Sequence, residues 1–273
     1  MTLESKTEAV SAYAARVDFG RVSEDYERFR PGPPESMYDR LDRILSDAGS
    51  PLSRCRAVDV GTGTGTGALA LARRGAVVVA LDPADNQLEA VRRGAQAAGL
   101  DIQAVQAKAE NIPLPDGSVD LYLALQCWHW FDRPRAASEA IRVLRPGGVA
   151  ACASFDYLPH RSEVARATEA LVLKHNPGWP MAGGHGVHIN PMNDLPSAGF
   201  TDLFQFSFEH LQPFTHEAWR GRMRTCNGVG ASMGPEVVAA FDHDLQSILE
   251  RQFPKEPMGV AHRVWVVTAR KPG

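Results

Sequence analysis

The chain has 273 residues, 44% of them hydrophobic and 22% charged, and a formal net charge of -3. That length suits one large domain or one and a half, and that composition an ordinary soluble globular protein. So balanced a charge gives no electrostatic reason to expect a nucleic-acid partner. The four cysteines, at 55, 127, 152 and 226, are far apart and form no C-x-x-C pair. They read as buried free thiols of a reducing compartment, with no metal site expected. The start, Met-Thr-Leu-Glu-Ser-Lys, lacks a basic end followed by an apolar core, and no apolar run approaches membrane-spanning length. The expectation is a cytoplasmic protein without a membrane partner.

Residues 5–17 place Ala9, Val10, Tyr13, Ala14 and Val17 at helical spacing. The stretch Phe19 to Pro34 follows, and its prolines end any helix near Phe29. It reads either as an arm packed on the sheet or as a flap. Residues 35–48 form a helix with Met37, Leu41, Ile44 and Leu45 on one face. Val58 to Val60 make a short buried strand, the glycines of 61–67 a tight turn, and Ala68 to Arg74 a helix. Ala76 to Leu81 are a second strand, ending in Asp82-Pro83. Asn86 to Ala98 are helical and Gly99 stops them. Ile102 to Ala107 are a third strand. A proline-punctuated turn, Glu110 to Asp120, enters a fourth strand, Leu121 to Leu125, which runs into Gln126-Cys127-Trp128-His129-Trp130. A helix over Pro134 to Leu144 and a fifth strand over Val149 to Ser154 follow. Alternating strands and helices with short turns predict a doubly wound parallel sheet.

Residues 156–192 show no clean periodicity. A helical turn at Asn193 to Ala198 and a strand of alternating character, Leu203 to Phe208, come next. Thr215 caps a helix carrying Trp219 and Arg220. Pro235 to Phe253 form a longer helix, and Arg263 to Ala269 the last strand.

A strand, a glycine turn and a helix present unpaired N–H groups to a ligand. Gly63 to Ala68 fit G-x-G-x-x-A of NAD-binding folds, and Asp59 to Gly65 equally fit D-x-G-x-G-x-G. An acidic residue past the second strand, Asp82, is placed to take ribose hydroxyls, or to cap the following helix. Further motifs separate the cofactors: Ala109-Glu110, Leu114 to Asp120, His129-Trp130-Phe131, Leu144 to Gly148, and Tyr26 with Arg30-Pro31-Gly32. With these the chain resembles the class I S-adenosylmethionine (SAM)-dependent methyltransferases, closely over 19–155. Within them it is similar to the small-molecule branch of ubiquinone-biosynthesis and trans-aconitate type, methyltransferase type 11.

The resemblance implies a Rossmann-like seven-stranded sheet, mostly parallel with the last strand antiparallel beside the fifth. It implies one methyltransferase domain over 1–273, with an N-terminal arm at 1–34 and substrate-cap insertions at 156–192 and 213–258. It implies SAM as cofactor, held by Tyr26, Asp59, Gly61, Thr62, Gly63, Gly65, Asp82, Pro83, Gln87, Ala109, Glu110 and Gln126. Many relatives carry an acid where Lys108 stands, so the adenine amino contact must come from elsewhere.

Methyl transfer from a sulfonium is largely a matter of positioning. A base is needed only for a protonated acceptor. His129, at the edge where α/β sheets bind ligands, is the candidate base, or it packs between Trp128 and Trp130. Trp128 and Trp130 are expected to shape the acceptor pocket or to pack in the core. The histidines of Gly184-His185-Gly186-Val187-His188 lack further ligands, and no metal is expected. Among Arg220, Arg222 and Arg224, the first and last share a helix face. With Arg28 or Arg30 they could clamp an anionic acceptor, or form a solvated face. The absence of [DN]-P-P-[YF] after the fourth strand points away from nucleic-acid bases. A small molecule accepting methyl on oxygen or carbon remains, a carboxylate-bearing metabolite foremost. A non-catalytic SAM-binding protein and, remotely, a nicotinamide oxidoreductase are the alternatives.

Overall fold

The computed structural model describes Tyr13 and residues 17–273. The helix expected over 5–17 lies almost wholly outside them. The helices are α1 (Ser23–Phe29), α2 (Glu35–Asp47), α3 (Thr66–Arg73), α4 (Asp85–Ala98), α5 (Arg133–Val143), α6 (Glu163–His175), α7 (Asn190–Ser197), α8 (His216–Arg224) and α9 (Pro235–Gln252). The strands are β1 (Arg56–Val60), β2 (Val77–Asp82), β3 (Ile102–Gln106), β4 (Val119–Leu125), β5 (Leu144–Tyr157), β6 (Thr201–Phe214) and β7 (Met258–Arg270).

These strands form one seven-stranded sheet in the order β3-β2-β1-β4-β5-β7-β6. β1 pairs in parallel with β2 and β4, β2 with β3, and β4 with β5. β7 runs the other way. The amides of Gly147 and Leu158 donate to the carbonyls of Lys271 and Ala261, so numbers rise along β5 as they fall along β7. The strand order reverses between β1 and β4, a topological switch point, and ligands of such sheets bind beyond the strands' carboxyl ends there.

Alternation along the strands builds two cores. Ala57, Leu121, Leu123, Val149 and Ala151 enter one cluster with Met37, Leu41 and Leu45 of α2 and Leu71 of α3. Val58, Val60, Tyr122, Ala124, Ala150 and Cys152 enter another with Ala136, Ala137 and Ala140 of α5 and Leu195 of α7. Residues a period of two apart sharing a cluster is what helices on both faces require.

The chain divides into two compact units. A sheet unit comprises Gly32–Phe155, His188–Phe208 and Val264–Gly273. A helical unit comprises the described residues up to Pro31, Asp156–Val187 and Glu209–Arg263. The helical unit has its own core, in which Trp219 and Met223 of α8 and Phe241, Leu245 and Leu249 of α9 meet Val164, Leu171 and Val172 of α6. α6 was not expected: residues 156–192 read as irregular, yet Ser162 caps a thirteen-residue helix by accepting from Ala165 N–H. Its buried Val164, Ala165, Thr168, Leu171 and Val172 follow helical spacing, and the prolines, glycines and histidines on either side hid it.

Candidate functional site

β1 ends at Val60 and the chain turns through Gly61, Gly63 and Gly65 at φ of 58°, 55° and 87°. Only glycine takes such angles freely, and space adds a second demand at Gly61. A Cβ there would stand 3.0 Å from Cys127 Cβ and 3.1 Å from Phe131 Cζ. At Gly63 a Cβ would meet nothing within 4 Å, so this side of the turn is open. α3 begins at Thr66 with Gly65 as its N-cap and no N-cap side chain capping it; the buried Asp59 carboxylate faces the Ala68 N–H of this first turn, and the N–H groups before it remain for a ligand.

Asp59 is buried under this turn, and its Oδ2 accepts the Thr62 hydroxyl at 2.6 Å. Burial, with a smaller push from the Asp82 charge, raises its pKa to about 7. Asp82 ends β2. Its two carboxylate oxygens accept the N–H groups of Gly63 at 3.0 Å and Ala84 at 2.9 Å. Burial raises its pKa as well. Ala84, not Asp82, is the N-cap of α4, so the capping alternative is not what the chain adopts. Asp82 instead joins the glycine turn to the start of that helix. The Pro83 carbonyl accepts from the Gln106 side chain, and Gln87 is buried in the first turn of α4. Ala109 is buried, and Glu110 Oε1 accepts the Asp132 N–H at 2.8 Å, tying the approach to α5.

Past β4 the backbone is unusual. Gln126 has φ 63°, left-handed for a non-glycine residue, and such conformations collect at functional sites. Its amide donates to the Ala153 carbonyl and its side-chain Nε2 to the Phe155 carbonyl at 2.6 Å. The Cys127 thiol, its pKa pushed well up by burial, donates to the Val60 carbonyl at 3.1 Å. Trp128 is buried and its indole N–H donates to Asp194 at 2.8 Å, so it anchors α7. His129 and Trp130 are half-buried, with ring centroids 4.5 Å apart.

A shallow hollow, open to solvent, lies at this edge of the sheet unit, and Gln126, Trp128, His129, Ser154, His188 and Trp265 line it. The rings of His129 and His188 face each other there, 6.3 Å apart and inclined by 21°. The Trp265 indole N–H donates to the His188 carbonyl and holds that segment. Ser154 Oγ is buried with no hydrogen-bond partner among the described residues. His188, Ser154 and Trp265 were not foreseen as site residues. Ser154 and Trp265 carry no motif, since each takes its place through strand pairing. His188 was weighed only as a metal ligand.

Tyr26, Arg28, Arg30, Arg220 and Arg224 belong to the helical unit. The arginine clamp read from sequence needs correcting there. Arg224 pairs with Asp25 at 2.6 Å and Asp242 at 2.8 Å, Arg220 pairs with the same Asp242, and Arg28 with Glu217 at 2.7 Å. Guanidinium groups already matched by carboxylates offer an anion little. Arg30 differs: it stacks over the Tyr26 ring, 5.2 Å from its centroid. Among the described residues no group of three or more His, Cys, Asp or Glu is placed to hold a metal ion. Among them, too, no helix is long and apolar enough to cross a membrane.

Comparison with known proteins agrees with this geometry. Residues 58–152 match the family model of a methyltransferase domain. Over 133 residues the chain is 43% identical to uncharacterized methyltransferase Rv3342 of Mycobacterium tuberculosis, covering 48% of this chain and 49% of that one. Over 166 residues it is 34% identical to the malonyl-[acyl-carrier protein] O-methyltransferase of Methylococcus capsulatus, covering 57% and 54%. The chain thus spans about half the length of these curated relatives. The crystal structure of YcgJ from Bacillus subtilis has a TM-score of 0.54 over 85% of this chain and 98% of its own. At 17% identity that is a likeness of fold. The glycine turn, Asp82 and the segment after β4 all fall inside the stretch, residues 58–152, that matches the methyltransferase-domain family.

Proposed function

We propose that the protein is a SAM-dependent methyltransferase acting on an oxygen or carbon of a small-molecule acceptor. One observation carries this: inside a stretch of methyltransferase family, the glycine turn and the hollow past β4 share a wall where Gly61 meets Cys127. The residues present fit the cofactor. The turn is open at Gly63, no N-cap side chain caps α3, and each Asp82 oxygen accepts one N–H and keeps acceptor capacity for a ribose hydroxyl. Gln87, Ala109 and Glu110 would face the adenine, and Gln126 the methionyl end. When bound, SAM supplies a methyl group on an already activated sulfur.

The chain's own contribution is to place the acceptor and manage its proton. Trp265 and Trp128 give the acceptor apolar surface, and Ser154 Oγ offers it a hydrogen bond. His129 takes the proton from an acceptor hydroxyl as methyl is received, a role worth about 10²–10⁴-fold in rate.

Calorimetry on the purified chain tests the reading: SAM and S-adenosylhomocysteine bind, and NADH does not. NADH binding without SAM binding would overturn it. In a turnover assay with hydroxyl acceptors, His129→Ala lowers kcat while SAM affinity is kept. SAM binding with no methyl transferred to any acceptor class would make the protein a SAM-binding module instead.

A further inference from the structure

Arg222 is the residue of the basic triplet that faces inward. It follows Trp219 by three positions on α8, and only 4% of it is exposed. Arg220 and Arg224 meet carboxylates, but among the described residues none forms an ion pair with Arg222. Among the described residues its buried Nε has no hydrogen-bond partner, and Nη1 makes a long contact of 3.9 Å to the Met223 sulfur. Aromatic rings stand over the guanidinium instead, Tyr157 at 4.6 Å and Trp219 at 5.8 Å.

An isolated buried guanidinium is costly to hold, and cation–π contacts offset only part of that cost. Burial lowers its pKa, and the Arg30 charge lowers it further. Arg30 is itself without an ion pair among the described residues, and it reaches Arg222 electrostatically within the same unit. Two electrostatically coupled cations with no ion pair among the described residues are an arrangement that a bound anion completes.

We propose that Arg222 and Arg30 form a binding site, inside the helical unit, for the carboxylate of a small molecule. The surroundings select the anion. With rings over its face, the guanidinium has only its edge for hydrogen bonding, and a planar carboxylate fits that edge with two parallel bonds. The acids nearby, Glu169 and Asp156, disfavour a dianion such as phosphate. Glu169 forms no ion pair with Arg222: it accepts the Gly183 N–H at 2.8 Å and the Tyr157 hydroxyl, and burial raises its pKa while the Arg222 charge draws it back. Tyr157 and Trp219, the latter held by its indole bond to Thr168 at 2.9 Å, suit an apolar body behind the carboxylate. The site stands on this unit alone and does not depend on the cofactor reading.

Benzoate, acetate and inorganic phosphate, titrated into the full chain at constant ionic strength, test it by calorimetry and thermal unfolding. Benzoate binds saturably and raises Tm, acetate does so more weakly, and phosphate does not. Arg222→Met and Arg30→Gln each weaken benzoate at least tenfold. No saturable benzoate binding to the unmodified chain, or affinity unchanged in the variants, overturns the site. Phosphate bound in preference overturns the carboxylate assignment. Should Arg222→Met fail to fold, Arg30→Gln decides, because Arg30 is only half-buried. A chain that binds benzoate and not SAM would keep this site and lose the methyltransferase reading.

Discussion

Asp59 holds a proton that the unfolded chain gives up at much lower pH. Its pKa rises from the ordinary 3.8 to about 7 on folding. Between those values the folded state binds more protons than the unfolded one, so this residue makes stability fall as pH rises through the window. The slope for one such proton reaches about 1.4 kcal/mol per pH unit. Denaturant titrations from pH 4 to 7 will show that fall, and Asp59→Asn, which cannot ionise, will flatten it. Asp82 gives a prediction of another kind. Asp82→Ala removes the acceptor proposed for ribose hydroxyls and will weaken SAM by about 1–3 kcal/mol, read by calorimetry. Folding survives it, although Gly63 and Ala84 each lose an N–H acceptor. An unchanged SAM affinity in the folded variant would leave Asp82 a purely structural brace.

The turn between β3 and β4 depends on one helical side chain. Arg142 of α5 reaches Asp116 and Glu139 at 2.7 Å and the carbonyls of Leu114 and Ile112 at 2.8 Å. Glu139 in turn accepts the Ile112 N–H at 2.6 Å. Charge-assisted bonds of this type contribute about 1.5–3 kcal/mol. Arg142→Met, which keeps much of the stem, will destabilise by about that amount in urea unfolding. A loss below 0.5 kcal/mol would show that solvent replaces the network. Ser162→Ala, at the cap of α6, will cost about 0.5–2 kcal/mol.

The elements themselves were mostly readable from the chain. Helical and strand periods predicted α2 to α5 and β1 to β4 within a few residues, because each buries one face against the sheet. The later strands were under-read. β5 continues to Tyr157 and β6 to Phe214, past the apolar runs that announced them, since backbone pairing with β7 extends a strand where the side-chain pattern fades. The site was less readable. Asp82 and the glycine turn declare themselves by local spacing, but Ser154 of β5 and His188, in the loop before α7, line one hollow from 34 residues of sequence apart. Arg222 sits among other arginines, and nothing local shows which of them turns inward. Its place three residues after Trp219 and beside Met223, on the apolar stripe of α8, was the available sign.

At the scale of the molecule, the family match ends at residue 152 while the sheet does not. β7 and β6 complete it, and Phe206, Val264, Val266, Val267 and Ala269 belong to the two cores of the sheet unit. A fragment ending at Phe155 would bare the edge of β5 and remove those residues. It will be insoluble or aggregated by gel filtration, and a monomeric, cooperatively unfolding fragment would contradict the view of one sheet built from both halves. The place of β7 also has a consequence for biosynthesis. β6 leaves the ribosome first, yet in the sheet its neighbour is β7, more than forty residues further along. For that interval the nascent chain carries a fourteen-residue strand with Phe204 and Leu211 exposed and its hydrogen-bonding edges empty. Copies still being synthesised are therefore more exposed to aggregation than copies already folded.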